Sequence, residues 1–190
     1  MSRIVILAAT ENEIAGCRDI EGLIPVVTGI GATNTAIATM SAVKGYWPAL
    51  MIQIGIAGAY GRNLPLGEAV LVASDRQADL GAWRGDRFEA FENHAPLIEC
   101  PWIPDVRWKK PIVRAQSVNC AASPLVATEL AEIETMEGAA FFAAAAECEV
   151  KFLQLRTISN YVDTPREVWE VERAIAALPG ALRELLDALD

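Results

Sequence analysis

One histidine, His94, and four cysteines without CxxC spacing leave little from which to build a Cys/His metal centre or a disulfide-dense framework. Cys17, Cys100, Cys120 and Cys148 are therefore expected as reduced, mostly buried thiols. The first apolar run, 4–9, is too short for a signal-peptide core or a membrane span, and no cleavage-like sequence follows it. Basic residues are also few: 16 Lys and Arg lie scattered against 25 Asp and Glu, for a net charge of -9. Phosphate backbones and acidic membranes are gripped by clustered cations, so neither a nucleic acid nor a membrane is expected as a partner. The expected location is the cytoplasm.

What is present suits a soluble α/β protein. With 190 residues and 53% hydrophobic content, the chain can bury one substantial core, and a single domain over 1–190 is expected. Short apolar or β-branched runs alternate with Ala-rich segments of helical length, as βαβ construction requires. Strands are expected at 3–9, 23–28, 49–55, 68–74, 111–118, 133–136 and 151–159. Runs such as Ile52-Gln53-Ile54 suit strands covered on both faces. Helices are expected to start near Glu11, Thr33, Ser123, Glu137 and Arg166, with Ser123-Pro124 offering an N-cap and a proline at the first helical position. The stretch 78–110 breaks the pattern with Trp83, Trp102, Trp108 and several turns. An excursion of that length is either functional or ordinary aromatic packing.

Two glycine-rich junctions stand out. Thr28-Gly29-Ile30-Gly31-Ala32-Thr33-Asn34 lies between a strand and a helix, where bare backbone amides favour an anion or a polar oxygen. It lacks the third glycine of a dinucleotide fingerprint, and no Walker lysine motif occurs. Gly55-Ile56-Ala57-Gly58-Ala59-Tyr60-Gly61 follows the central apolar strand. Ligands of open parallel sheets gather beyond the carboxyl ends of strands, so both turns and the Met136-Glu137 junction are expected to open at one edge. Glu11 and Glu13 follow the first strand there, and Glu11 reads as an acid complementing a helix dipole. Glu134 reads as a solvated or strand-edge charge, whereas Glu137 is balanced between a cap-region acid and a ligand.

Taken in order, Ala8-Ala9-Thr10-Glu11-Asn12-Glu13, Thr28-Gly29-Ile30-Gly31, Gly55-Ile56-Ala57-Gly58, Thr135-Met136-Glu137-Gly138 and Arg156-Thr157-Ile158-Ser159-Asn160 resemble the motifs of the nucleoside phosphorylase and nucleosidase superfamily. The resemblance extends over nearly the whole chain and includes the methylthioadenosine/S-adenosylhomocysteine nucleosidases. Within it, Ser159-Asn160-Tyr161-Val162-Asp163 with Arg166 and Trp169, and Ala78-Asp79-Leu80-Gly81-Ala82, look most like the futalosine hydrolases.

The resemblance implies a single α/β domain with a mixed central sheet flanked by helices, assembled as a homo-oligomer and needing no metal or organic cofactor. It implies that Glu13 is the base for the attacking water, that Met136 and Glu137 bind ribose, and that Asn160 meets the purine. Gly31, Ala57, Gly58 and Ser159, in the same motifs, are expected to complete the substrate site. Adenine-cleaving relatives carry Asp where Asn160 stands. An amide can accept from a protonated N7 and donate to O6, which points to hypoxanthine as the released base. Two departures accompany this: the hairpin usual between positions 13 and 29 of the methylthioadenosine enzymes is missing, and 117–122 lacks their stacking phenylalanine. The rival readings are a nucleosidase for methylthioadenosine, S-adenosylhomocysteine or aminofutalosine, a purine nucleoside phosphorylase, and a non-catalytic nucleoside-binding protein. Arg62, Arg76 and Arg84 are the loop cations available to a substrate carboxylate.

Overall fold

In the computed structural model, residues 3–91, 95–123 and 129–189 are described. Ten strands and four α-helices follow one another as β1 (Ile4–Ala8), α1 (Glu11–Ala15), β2 (Leu23–Val27), α2 (Ala32–Tyr46), β3 (Leu50–Ala59), β4 (Ala69–Asp75), β5 (Gly81–Arg84), β6 (Arg87–Ala90), β7 (Ile98–Glu99), β8 (Ile112–Ser117), β9 (Ile133–Thr135), α3 (Gly138–Glu147), β10 (Lys151–Tyr161) and α4 (Val171–Asp187). The main sheet runs β10-β4-β8-β9-β3-β1-β2, and β10 also pairs with β3, so five strands close on themselves while β1 and β2 extend from β3. The sheet is mixed: β1, β2, β3 and β10 pair in parallel, whereas β10 with β4 and β3 with β9 are antiparallel.

The closed part is dry. β3, β4 and β10 are buried along almost their whole length, as strands covered on both faces must be. α4 buries Ala174, Leu178, Ala181, Leu182 and Leu185, a single stripe at helical spacing. Each of those leucines contributes roughly 2 kcal/mol by burial. α3 buries Gly138, Ala139, Phe141, Phe142, Ala144 and Ala145 and exposes Ala143, Ala146 and Glu147, and its Phe142 meets Phe152 of β10 with ring centroids 4.8 Å apart.

Several expected boundaries shift. β3 does not stop at Gly55 but continues to Ala59, so Gly55 and Gly58 lie inside a strand instead of in a turn. Residues 166–168 form only a 3-10 turn, and α4 starts at Val171. The helix expected from Ser123-Pro124 falls, beyond Ser123, outside the described residues. The 78–110 excursion contains a separate β5–β6 hairpin and returns through β7 to pair with β4. Trp102 and Trp108 pack against the core, whereas Trp83 is exposed, so two of the three indoles serve packing. Cys17 and Cys100 are buried as expected, but Cys120 is exposed.

Candidate active site

The site forms where β3 changes neighbours. β1 pairs with β3 from Leu50 to Gln53, and β9 pairs with it only at Gly58 and Ala59. Residues 54–57 are therefore left without a strand partner on that edge. β9 runs against β3, so its carboxyl end and that of β1 converge on this gap from opposite directions. One shared carboxyl edge was expected; the opening is instead a breach within the sheet. A cavity of about 300 Å³ occupies it, lined by Thr10, Glu13, Glu134, Met136, Glu137 and Asn160, by Ala57, Gly58 and Ser159, and by Trp169 ahead of α4 with Val171 and Ile175 on its first turns.

Glu13 is set by local helix chemistry. Thr10 caps α1, its hydroxyl accepting from the Glu13 amide, while Glu13 Oε2 accepts from the Thr10 amide at 3.0 Å and from the Thr10 hydroxyl at 2.8 Å. Glu13 Oε1 accepts from the Ile56 amide, 3.2 Å away on the unpaired edge of β3. A carboxylate held by three donors keeps one orientation without substrate. Glu11, by contrast, turns outward to Arg18, as its reading as a helix-start acid required.

Glu137 stands at the N-terminal boundary of α3, two residues past β9 and 6% exposed, its side chain making no capping bond. Its Oε1 accepts from the Gly31 amide at 3.0 Å. The first glycine turn thus supplies its amide to the chain's own carboxylate, and Gly31 stands behind Glu137, outside the cavity wall. Its φ of 92° is one that glycine tolerates best. Glu137 Oε2 lies 3.9 Å from Nη1 of Arg156. Burial raises the Glu137 pKa, opposed by Arg156 and the Gly31 amide and reinforced by the charge of Glu13. Arg156 is 1% exposed; its Nη2 donates to Gln53 at 2.8 Å and its Nη1 to the Ile56 carbonyl at 3.4 Å. Arg156 reaches Glu137, the carboxylate that holds this turn, from the middle of β10. Gly55 makes the space, since a β-carbon there would collide with Arg156 Nη1 and lie 2.9 Å from Glu13 Oε1.

Asn160 and Ser159 both reach the cavity because β10 bulges. Ile158 pairs with Ala57 and Asn160 with Gly58, leaving Ser159 as the extra residue. The Ser159 hydroxyl lies 2.7 Å from Asn160 Oδ1 and 3.1 Å from the Ala57 carbonyl. A hydroxyl has one proton, and the shorter contact takes it. Asn160 Nδ2 is then buried without a hydrogen-bond partner.

Glu134 contradicts its reading as a solvated charge. It is 4% exposed and lines the cavity. The three-residue β9 is buried at every position, so no outward face remains for the charge. Behind the site, Asp75 is fully buried; it accepts from Ser117 at 3.0 Å, Thr135 at 3.2 Å and Gln154 at 3.3 Å. Ser117 and Thr135 in turn accept the amides of Ala139 and Gly138, which seats the Met136-Glu137 corner. Burial pushes the Asp75 carboxyl up to about 6.

None of the loop arginines is on the cavity wall. Arg62 pairs with Asp163, Arg84 with Glu89, and Arg76 donates to Gln116. Among the described residues no three His, Cys, Asp or Glu side chains gather as metal ligands would, and no helix is long and apolar enough to cross a membrane.

The model of the phosphorylase superfamily matches residues 21–128. The chain is similar to the futalosine hydrolase of Thermus thermophilus, with 30% identity covering 87% of this chain and 81% of the relative. It is also similar to the futalosine hydrolase of Streptomyces coelicolor, with 28% identity covering 87% and 79%. Among solved structures, futalosine hydrolase of Helicobacter pylori superposes with a TM-score of 0.84 at 18% identity, covering 98% of this chain and 97% of that one. The methylthioadenosine/S-adenosylhomocysteine nucleosidase of Streptococcus pneumoniae superposes with a TM-score of 0.81 at 16% identity, covering 99% and 100%.

Proposed function

This chain belongs to the phosphorylase superfamily, and we propose that it is a purine nucleosidase that hydrolyses the N-ribosidic bond of futalosine. The products are hypoxanthine and dehypoxanthine futalosine, in an alternative route to menaquinone. The observation that carries this reading is the pairing of a pre-oriented Glu13 carboxylate with a buried Glu137 across one cavity whose third polar wall is an amide, Asn160.

In the proposed reaction Glu13 takes a proton from water, the water oxygen bonds to the anomeric carbon, and the bond to the purine breaks. Positive charge develops on the sugar, and the two carboxylates flanking the cavity favour it. Glu137 accepts from the ribose hydroxyls and, with Met136, holds the sugar in register. The purine leaves with the electron pair of the broken bond and takes up a proton at N7 from solvent, balancing the one passed to Glu13. Asn160 Oδ1 has a second lone pair for that N–H beyond the one facing Ser159, and Nδ2 donates to O6. Ala57, Gly58 and Ser159 form the floor.

Phosphorolysis is the less favoured chemistry. The Gly31 amide is taken by Glu137, Arg156 is shared among Gln53, Ile56 and Glu137, and a phosphate would meet two carboxylates. We also propose that the enzyme acts in the cytoplasm as a homo-oligomer, which the exposed Ile30, Ile37 and Met40 along the α2 segment support. The test is incubation with futalosine, inosine and methylthioadenosine, with and without phosphate, separating products by chromatography. Hypoxanthine released from futalosine without phosphate is expected; a phosphate requirement, or binding without turnover, would sink the reading.

A further inference from the structure

We propose that Glu134 is a second base-reading residue, which together with Asn160 recognises the N1–H and O6 edge of a 6-oxopurine. The inference rests on the nucleosidase reading above and concerns how the same site chooses its base.

Three adjacent strands place the pair. Gly58 of β3 is opposite Glu134 of β9 on one side and Asn160 of β10 on the other. Residues directly opposite one another in a sheet project from the same face, so the two side chains flank Gly58 at roughly 10 Å between their backbones, two strand spacings. The bare Gly58 backbone lets these side chains close over it, with Val162 Cγ2 at 3.1 Å from where a β-carbon would stand. A β-carbon there would lie 3.0 Å from Asn160 Nδ2 and 3.1 Å from Glu134 Cγ.

Both flanking side chains carry a buried polar atom without a hydrogen-bond partner: Nδ2 of Asn160 and Oε2 of Glu134. Each residue is 4% exposed, and both line the cavity. Such atoms are costly to bury unless a ligand completes them. The rest of each group is already engaged. Glu134 Oε1 accepts from the Ala122 amide at 2.6 Å, and Ala122 holds a φ of 57° that an alanine seldom adopts. Burial raises the Glu134 pKa, opposed by the Ala122 amide and by the Tyr60 hydroxyl, which itself accepts from Gln116 at 3.0 Å. Asn160 Oδ1 accepts from Ser159.

The unused atoms are thus one donor and one acceptor, side by side across a glycine. Hypoxanthine presents the complement on adjacent ring positions, O6 as acceptor and N1–H as donor. Adenine presents the reverse, an amino donor and the N1 lone pair, so it would set donor against Nδ2 and lone pair against carboxylate. Discrimination then comes from both positions, one of them charge-assisted.

The test has two arms. In the first, binding of hypoxanthine and 1-methylhypoxanthine to the unmodified protein is measured by calorimetry. Replacing the N1 proton by a methyl group is expected to weaken binding by at least about tenfold, the loss of one hydrogen bond to a charged group; equal affinities overturn the proposal. In the second, kcat/KM is measured for futalosine and its 6-amino counterpart on wild type and Glu134→Gln. Gln can still accept from Ala122 while turning an NH₂ toward N1. The 6-oxo substrate is expected to lose about 10–100-fold and the 6-amino substrate to be unchanged or improved. Equal losses on both substrates would leave Glu134 as a support for the 120–122 loop and overturn the proposal, as would no loss on either. The binding arm stands if Glu134→Gln fails to fold. If wild type cleaves neither nucleoside, the nucleosidase reading fails, while the binding arm still reports on the base-reading pair.

Discussion

Replacing Glu13 with glutamine removes the base while keeping the shape, but the site makes this substitution less silent than an isosteric swap suggests. Glu13 accepts from three donors: the Thr10 amide and hydroxyl on one oxygen and the Ile56 amide on the other. Glutamine has a single acceptor oxygen. With it turned to Thr10, the new NH₂ faces the Ile56 amide, donor against donor, in a position 6% exposed. An unsatisfied buried donor costs about 1–3 kcal/mol, and in a domain of this size each kcal/mol lowers Tm by roughly 2–4 °C. Glu13→Gln is therefore expected to melt several degrees lower and remain folded at 25 °C. Hydrolysis of futalosine, followed as hypoxanthine release under single-turnover conditions, is expected to fall by about 10²–10⁴-fold, the usual contribution of general-base catalysis. Hypoxanthine affinity should change by less than tenfold, since Glu13 is placed by the water and not by the base. A variant keeping more than about one tenth of the wild-type rate would remove Glu13 from the base role, and an unchanged Tm would mean that the three donors do not hold the carboxylate.

Glu137→Ala is expected to lower kcat/KM by about 10–100-fold on a ribonucleoside, since hydrogen bonds to a charged acceptor contribute about 1.5–3 kcal/mol. A 2′-deoxynucleoside should lose less, and equal losses would point to a folding effect. Asn160→Asp places an acid beside N7 and an acceptor opposite an exocyclic amine. The ratio of kcat/KM for the 6-oxo over the 6-amino substrate should therefore narrow or invert, and an unchanged ratio would take base reading away from Asn160. Asp75 gives a pH test. Its carboxyl rises from 3.8 to about 6 on burial, so the folded state holds the proton more tightly than the unfolded chain does. That contribution is complete below pH 3.8 and is lost as pH rises through about 6, an effect of roughly 3 kcal/mol. Asp75→Asn should therefore show a smaller fall in Tm than wild type between pH 4.5 and 7.5, and parallel curves for the two proteins would contradict it.

The elements that carry local signals were legible along the chain. Thr10 and Glu13 sit at the spacing of a capping box, and the structure makes one. Met136-Glu137 at a strand-to-helix junction and Ser159-Asn160 near a strand end fall on the cavity wall. Gly55 and Gly58 misled, because glycine clusters signal turns most often, and only the register of β10 and β9 against β3 shows that both keep a strand interior open for neighbouring side chains. Arg156 carries no local signal of its role, since its hydrogen-bond partners lie about a hundred residues upstream on another strand.

Alternation of apolar and helical segments, capping chemistry and short motifs act within a few residues, so the sequence by itself determined an α/β chain and the strand ends near which Glu13, Glu137 and Asn160 stand. Which residues face one another was decided only when β9 entered antiparallel and β10 closed the ring between β3 and β4. Glu134 shows why. Strand side chains alternate faces residue by residue, and a shift of one position would exchange the buried side for the other. The pairing of Glu134 with Gly58, and of Gly58 with Asn160, is a matter of long-range register. It turns a charge that looked solvated into one wall of the cavity.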